Sequence, residues 1–238
     1  MKYLDLSFAC PEDNLAADDA LLHASENGAE DVLRFWESEH VFVVVGYGNA
    51  VSAEVNVEAC RSRGIPILRR CTGGGTVVQG PGCLNYSLIF RAPDEGPLRN
   101  ITSTNRHIMD RIRDALAAAG AGQVEVLGHT DLAIGGVKFS GNAQRRQRSS
   151  ILFHGAFLLD FDLSLITEFL PMPSRQPDYR EGRSHAEFLR NLNIPAEAVK
   201  AAIRSHWGAR DSARDFPHAL MKQLAREKYA RPDWNCKF

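Results

Sequence analysis

The feature that most constrains the fold is a change of hydrophobic period near the middle of the chain. Residues 102–120 repeat apolar side chains every three or four positions between a Thr/Ser cap and a terminal glycine, which predicts an amphipathic helix. Residues 124–161 instead contain short apolar runs of strand length, and Gly135-Gly136 predicts a two-residue hairpin turn. Helices interleaved with hairpin-linked strands predict an α+β fold, with a mixed or mostly antiparallel sheet flanked by helices.

The remaining patterns predict a single domain over residues 1–238, because no linker, internal repeat or low-complexity tract divides the chain. Residues 162–193 carry mainly loop signals. Further helices are predicted at 11–27, 56–64, 196–206 and 211–228, and strands at 40–46, 65–70, 83–90, 124–127, 132–136, 137–144 and 151–161.

Composition excludes several classes of protein. A formal net charge of −1 over 238 residues provides no global basic field for nucleic acid. The N-terminus is a poor signal peptide, and no apolar run approaches the roughly 20 residues of a membrane span. The five cysteines have no CxxC spacing, so we expect free thiols in a reducing cytoplasm.

The stretch RRCTGGGTVVQGPGCLNYS, residues 69–87, places two arginines before three glycines. Glycines let a backbone approach a ligand closely, and arginines suit a phosphate or a carboxylate. A flexible turn with two solvated arginines is the alternative, and the bare pattern favours it. No Gly-Lys-Ser/Thr of a Walker loop occurs, and GYGNAV at 46–51 is half of a dinucleotide-binding fingerprint, better explained as a tight turn.

A second informative segment is 128–162, in which Lys138 lies on a predicted strand between Gly136 and Gly141. A buried ammonium must be paired, and an anionic ligand would pair it. Strand alternation could instead turn Lys138 to water while its apolar neighbours face the core, and taken alone this second interpretation is favoured. The eight histidines form no zinc spacing.

The motifs RR-x-T-GGG-x-V, LNYS, G-x-x-DL, K-x-SGNAQ and HG-x-x-LLD-x-D occur in this order. Together they resemble the lipoate–protein ligase A family of the biotin/lipoate ligase catalytic superfamily. The resemblance extends from VVVGYGNAVSAEVN at 43–56 to EKYARPDWN at 227–235, nearly the whole chain. It implies the catalytic fold of that superfamily.

The resemblance also implies an activity. Such enzymes activate lipoate or octanoate with Mg²⁺-ATP to an acyl-adenylate. They then transfer the acyl group to a lysine of a carrier domain, such as a 2-oxoacid dehydrogenase E2 component or a glycine-cleavage H protein. Lys138 matches the catalytic lysine of K-x-SG, where a fixed cation offsets charge that develops at the phosphate.

The other family positions fall into two sets. Contacts to ATP or the adenylate are implied for Arg70, Gly75, Thr76, Val77, Val78, Asn85, Asp131 and Lys138. Contacts to the acyl group are implied for Gly73, Gly74, Ser140, Gly141, Ala143 and His154. No protein metal site is implied, because Mg²⁺ would be held mainly by phosphate oxygens. For Asp131, structural capping is nearly as good an explanation as a ligand role.

The sequence departs from the family pattern at several places. Cys71 stands where the family usually has Ser or Thr. Gln79-Gly80 replaces a common His-Asp pair, and His129-Thr130 replaces an Arg-Asn pair. The chain also ends where longer ligases begin an accessory C-terminal domain, so we expect either an impaired adenylation step or a separate accessory protein. A monomer is expected.

Two other functions stay open. An octanoyltransferase would use a cysteine nucleophile and no ATP, but no cysteine lies between Cys83 and Cys236, where such relatives carry it. A non-catalytic lipoate binder is also possible, although it would not need Lys138. Finally, RRQR at 145–148 could dock an acidic carrier domain or be a solvated loop, and 176–185 could close over the site or be plain surface.

Overall fold

A mixed eight-stranded sheet forms the centre of the computed structural model, which describes residues 1–93, 95–213 and 215–238. The strands are β1 (Lys2–Asp5), β2 (Val32–Trp36), β3 (Phe42–Val45), β4 (Ile67–Arg69), β5 (Val77–Gln79), β6 (Cys83–Arg91), β7 (Glu125–Leu127), β8 (Asp131–Ile134), β9 (Val137–Arg146), β10 (Ser150–Leu158) and β11 (Asp211–Ser212). The large sheet has the order β11-β1-β2-β6-β10-β9-β8-β7, and β4-β3-β5 form a second, smaller sheet.

Helices flank the sheets, and their amphipathic faces supply the core. They are α1 (Pro11–Glu26), α2 (Val51–Glu54), α3 (Val57–Ser62), α4 (Ile101–Ala118), α5 (Ser164–Phe169), α6 (His185–Phe188), α7 (Ala196–Trp207), α8 (His218–Leu224) and α9 (Pro232–Asn235). In α4, Ile108, Ile112 and Leu116 are fully buried, as their spacing predicts. Among the described residues, no helix is long and apolar enough to cross a membrane.

The predicted α+β class with a mixed sheet is confirmed. β1 pairs in parallel with both β2 and β11, whereas β2, β6, β10, β9, β8 and β7 pair antiparallel in turn. Gly135 and Gly136 form the predicted turn between β8 and β9, with φ of +57° and +72°. Both values lie in the left-handed region that a type I′ hairpin turn requires.

One predicted helix is wrong in its extent, and several strands were missed. The predicted helix 211–228 begins only at His218, because Pro217 occupies its N-cap and residues 211–212 pair with β1 instead. Residue 214, inside that prediction, lies outside the described residues. The strands β1, β2, β5 and β11 are absent from the predicted strands. β2 was missed because a charged residue, Arg34, interrupts its apolar run.

Arg34 is fully buried and connects the sheet to α1. Its guanidinium lies 2.6 Å from Asp18 and also donates to Asn14 and to the carbonyl of Leu6. Ser87 of β6 donates to the second oxygen of Asp18 at 2.7 Å. Each buried charge is therefore paired and hydrogen-bonded, which is the condition under which a buried ion pair is tolerated.

We expect Arg34→Ala to destabilise the fold by about 3–5 kcal/mol, because it leaves the Asp18 carboxylate buried without its cation. Urea unfolding at neutral pH measures this loss. Arg113→Ala is the matched control. Arg113 pairs with Asp110 and Asp114 at the surface, so its loss should cost less than about 1 kcal/mol. Equal losses in the two variants would contradict the role given to Arg34.

Candidate functional site

The side chain of Arg70 holds the glycine loop, residues 72–76, through hydrogen bonds. The side chain is buried, and its guanidinium donates to Thr72 Oγ1 at 3.0 Å, to the Gly73 carbonyl at 2.5 Å and to the Gly75 carbonyl at 2.7 Å. Burial lowers the pKa of Arg70 to about 10, so it stays a cation at neutral pH. The interpretation as a solvated arginine beside a flexible turn is therefore wrong.

Arg69 points the other way and is fully buried as well. Its guanidinium donates to five backbone carbonyls, those of Gly46, Tyr47, Asn49, Trp234 and Asn235. The loop after β3 and the helix α9 are thus attached to the end of β4. The two adjacent arginines hold separate segments because successive side chains of a strand point to opposite faces.

Glycine is required where two of these segments touch. A Cβ at Gly46 would lie 2.1 Å from the carbonyl oxygen of Gly74, and Gly74 itself has φ of +88°. Any larger residue at position 46 would push the glycine loop away, and any L-residue at position 74 would be strained. The glycines therefore permit a close approach between the loop after β3 and the loop after β4.

Lys138 lies opposite the glycine loop and does not face open solvent, contrary to the interpretation from strand alternation. Its ammonium is 2.8 Å from Asp131 Oδ1 across the β8–β9 hairpin. Tyr179 donates its hydroxyl to Asp131 Oδ2 at 2.7 Å. The aliphatic part of the Lys138 side chain passes Gly141, where an added Cβ would lie 3.0 Å from the Lys138 ammonium. Asp131 thus holds the lysine, and Tyr179 holds Asp131.

Two adjoining cavities meet at this lysine. The larger has a volume of about 550 Å³ and the smaller about 160 Å³. Their shared wall includes Gly74, Gly75, Thr76, Val77, Gln79, Asp131, Lys138, Gly141, Asn142 and Ala156. A molecule that filled both cavities would pass between the glycine loop and Lys138.

The larger cavity combines apolar walls with several charged side chains. Val78, Ile166 and Leu170 are among its apolar residues. Its charged side chains are Glu54, Asp131, Lys138, Arg175 and Arg180. Thr76 Oγ1, in the wall shared by both cavities, is buried and has no hydrogen-bond partner among the described residues.

The smaller cavity is bordered by α1 and β2. Leu15, Trp36 and Val44 line it together with Arg70, Asn85, Ala143 and His154. The amide nitrogen of Asn85 donates to Gln79 at 2.8 Å and to the Cys83 carbonyl at 3.2 Å. Both amide protons of Asn85 are therefore used within the protein.

His154 lines the smaller cavity as a neutral imidazole. Its Nε2 is 2.6 Å from Thr72 Oγ1, the hydroxyl that also accepts from Arg70. Burial lowers the pKa of His154 to about 4, the charge of Asp18 opposes this shift, and that of Arg70 adds to it. His154 is therefore uncharged near neutral pH, and it supports the glycine loop through Thr72.

The structure brings the predicted site residues together. All of them line one of the two cavities except Gly73, which accepts hydrogen bonds from Arg70 instead. Among the residues predicted to contact the acyl group, Ser140 lines only the larger cavity, Gly74 and Gly141 line both, and Ala143 and His154 line only the smaller one. Arg70 belongs to the smaller cavity, although an adenylate contact was predicted for it.

Several cavity residues were missed from the sequence, namely Leu15, Trp36, Glu54, Arg175, Arg180 and His185, as was Tyr179, which reaches the site through Asp131. The sequence did point to the segment 176–185, since closure over the site was one of the two interpretations given for it. Leu15, Trp36 and Glu54 have no local signal, since they reach the site only through tertiary packing.

Two other kinds of chemistry would need a metal-binding cluster or a cysteine thiolate at this site. In the described part of the chain, no group of three or more His, Cys, Asp or Glu residues could hold a metal ion. Cys83 lines the larger cavity and Cys71 is buried nearby, but burial raises the pKa of Cys83 to about 12 and that of Cys71 to about 11. Neither thiol is a ready thiolate.

The basic segment 145–148 is mostly engaged by its own chain. Arg145 donates to the Cys71 carbonyl, whereas Arg146 donates to the Leu98 carbonyl and to Thr104. Arg148 is exposed. The segment therefore supports the core more than it offers a charged patch, which weakens the hypothesis that it docks a carrier.

Comparison with known proteins assigns the family. A family model described as the lipoyl protein ligase A/B catalytic domain matches residues 10–207. Lipoate-protein ligase A subunit 1 of Thermoplasma acidophilum is 24% identical over 93% of this chain and 90% of its own length. Octanoyltransferase LipM of Bacillus subtilis is 26% identical over 99% and 98% of the two chains.

Solved structures show the same fold. A crystal structure of lipoate-protein ligase A bound with ATP has a TM-score of 0.86 at 24% identity, over 99% of this chain and 98% of that one. A bi-partite lipoate protein ligase of Thermoplasma acidophilum has a TM-score of 0.85 at 23% identity, over 99% and 95%. The chain therefore belongs to the lipoyl protein ligase A/B catalytic domain family, whose enzymes include ligases and octanoyltransferases.

We expect Gly46→Ala to displace the glycine loop, because its Cβ would overlap the Gly74 carbonyl. Hydrogen–deuterium exchange of the backbone amides at 72–76 should become at least about tenfold faster, since the contacts that close the loop are lost. Gly48→Ala is the matched control, because a Cβ there meets nothing within 4 Å. Unchanged exchange in Gly46→Ala would contradict the close approach.

The lowered pKa of His154 predicts a pH dependence of stability. Between pH 6.5 and 4, His154 binds a proton in the unfolded state but not in the folded state, so protonation favours unfolding. The contribution of neutral His154 to the free energy of unfolding is therefore complete above pH 6.5 and is lost as the pH falls. The loss should reach about 2–3 kcal/mol near pH 4. Unfolding of the wild type and of His154→Gln from pH 7 to 4 measures it. Parallel pH profiles would contradict the assignment.

Proposed function

We propose that this protein is a lipoate–protein ligase, which activates lipoate or octanoate with ATP and transfers the acyl group to a lysine of a carrier domain. The observation that carries the proposal is the pair of unequal cavities that meet at Lys138. An acyl-adenylate has two dissimilar parts joined at a phosphate, and a cation beside the glycine loop suits that junction.

The cavity sizes support one orientation. A volume of about 550 Å³ lies in the range of sites for molecules as large as a nucleotide, whereas about 160 Å³ lies well below it. We therefore place the nucleotide in the larger cavity and the acyl chain in the smaller one, against Leu15, Trp36 and Val44. The glycine loop and Lys138 then contact the phosphate between them.

Lys138 would act in both half-reactions. An oxygen of the lipoate carboxylate attacks the α-phosphorus of ATP, and the bond to pyrophosphate breaks. The ammonium of Lys138 offsets the negative charge that develops there. The amine of the carrier lysine then attacks the acyl carbonyl, loses a proton and expels AMP. Asp131 holds Lys138 in place until a phosphate competes for its ammonium.

The other residues predicted to contact the nucleotide differ in the hydrogen-bonding groups that they have free. The unpaired hydroxyl of Thr76 is a ready donor to a phosphate oxygen. Asn85 is less suited, because its amide protons are already used and its remaining oxygen is an acceptor. Arg70 would act through the loop that it holds, since most of its donors are bound to that loop.

A magnesium ion fits this site only as a companion of ATP. Asp131 is the carboxylate beside Lys138, and one carboxylate suits an ion bound mostly by phosphates and water. When bound, Mg²⁺ would neutralise charge on the departing pyrophosphate. The contribution of the protein is to keep Asp131 oriented, through the hydrogen bond that it accepts from Tyr179.

Partners are proposed from the relatives. The Thermoplasma acidophilum relative is one subunit of a ligase, and the similar structure is of a bi-partite ligase and its E2 lipoyl domain. We propose that this chain likewise acts on an apo lipoyl domain of an E2 component or an H protein, with a separate accessory protein assisting adenylation. It would work in the cytoplasm as a single catalytic domain and a monomer.

Octanoyl transfer without ATP is the second candidate, because the octanoyltransferase relatives align over almost the entire chain. That reaction needs a cysteine thiolate in the acyl site. Cys83 is the cysteine that lines a cavity, and its raised pKa opposes the role. This difference favours the ligase.

The test combines purified protein, lipoate, Mg²⁺-ATP and an apo carrier domain, and follows the carrier mass. We expect a lipoyl mass gain that requires ATP, and a rate loss of about 10²–10³-fold in Lys138→Ala, the magnitude typical of removing one electrostatic contact. Lys222→Ala, which removes an exposed lysine, should keep the full rate.

The contradicting result is transfer of octanoate from an octanoyl carrier without ATP, abolished by Cys83→Ala. If neither reaction occurs, supplied lipoyl-adenylate separates two cases. Transfer from the adenylate would identify a missing accessory protein, and no transfer would identify a non-catalytic binder.

A further inference from the structure

Glu54 is a buried carboxylate on the larger cavity that the proposed chemistry leaves unused. It is 6% exposed and ends α2. Ser174 donates its hydroxyl to Glu54 Oε1. No lysine, arginine or histidine nitrogen among the described residues lies within salt-bridge distance of this carboxylate. The second oxygen, Oε2, has no hydrogen-bond partner among the described residues, so it can accept a hydrogen bond from a molecule in the cavity.

The chain on either side of Glu54 is apolar. Val51 at the start of α2 and Val55 just after it are buried in the cluster that contains Val78, Ile166 and Leu170, and these last three residues line the larger cavity with Glu54. The segment that follows α5 binds Glu54 through Ser174 and, five residues later, Asp131 through Tyr179. The two carboxylates of the larger cavity are thus held at separate places along one segment.

The charges indicate which part of a nucleotide could reach Glu54. Phosphates would be repelled by this unpaired carboxylate and attracted to Lys138 and Arg180. The apolar walls of the same cavity suit the flat faces of a base. A carboxylate only accepts hydrogen bonds, so it favours a base that presents an amino group and opposes one that presents a carbonyl.

We propose that Glu54 selects the base of the nucleotide, by accepting a hydrogen bond from the 6-amino group of adenine on its free oxygen. The inference rests on the proposed function, because it requires the nucleotide to occupy the larger cavity. Inosine triphosphate differs from ATP in carrying a 6-oxo group. It would place an oxygen against the Glu54 carboxylate and leave both acceptors unsatisfied.

Calorimetric titration of the full-length protein with Mg²⁺-ATP and Mg²⁺-ITP tests the proposal without depending on turnover. We expect the wild type to bind ATP about 10- to 100-fold more tightly than ITP, the range for a hydrogen bond to a charged group. In Glu54→Gln the preference should shrink to below about threefold, because the amide can turn either its oxygen or its NH₂ toward the base. Glu168→Gln, a nearby exposed carboxylate paired with Arg63, should keep the preference of the wild type.

Equal binding of ATP and ITP by the wild type would overturn the inference, as would an unchanged preference in Glu54→Gln. If 2′-deoxy-ATP binds weakly and Glu54→Gln removes that difference instead, Glu54 contacts the ribose and the inference is wrong. If Glu54→Gln fails to fold, Glu54→Asp should also lose most of the preference, because its carboxylate is one methylene shorter. Binding of no nucleotide would contradict the proposed function as well, whereas ATP binding with an unaltered preference contradicts this inference alone.

Discussion

The arrangement of the site depends on two buried arginines that are bound by backbone carbonyls. Arg69 and Arg70 follow each other at the end of β4, and neither has a carboxylate partner in the part of the chain that the structure describes. Hydrogen bonds to carbonyl oxygens replace the hydration that each guanidinium loses, and the fork of donors fixes several segments at once. Arg69 orders the loop after β3 and the C-terminal helix. Arg70 orders the glycine loop. The arginine and the glycines are adjacent in sequence because the guanidinium immobilises the flexible backbone of the loop.

That immobilised loop gives the cavities their common wall. Gly74 can approach Gly46 because neither has a side chain, and the loop then faces the β8–β9 hairpin that carries Lys138. The lysine is oriented by Asp131, and Asp131 by Tyr179 from the segment after α5. Elements far apart in sequence therefore converge at one ammonium group, which is the place where an acyl group and a nucleotide would be joined.

The sequence was sufficient to predict the structural features that depend on local pattern. The Gly135-Gly136 hairpin, the amphipathic α4 and the nearness of Lys138 to the glycine loop all follow from spacing or from motif resemblance. β2 was lost because Arg34 breaks its apolar pattern, and only the fold shows that Asp18 compensates this charge. Tyr179 and Glu54 could not be assigned because their partners lie 48 and 120 residues away. Long-range contacts of this kind leave no periodicity in a single sequence.

The most direct test of the central claim is a crystal structure with a sulfamate analogue of lipoyl-adenylate, which cannot be hydrolysed. We expect the sulfamate within hydrogen-bond distance of Lys138 Nζ and the glycine loop. The acyl chain should lie against Trp36 in the smaller cavity, and the adenine should lie in the larger cavity. An acyl chain in the larger cavity, or an analogue bound away from Lys138, would contradict the claim that the two substrates meet at this lysine.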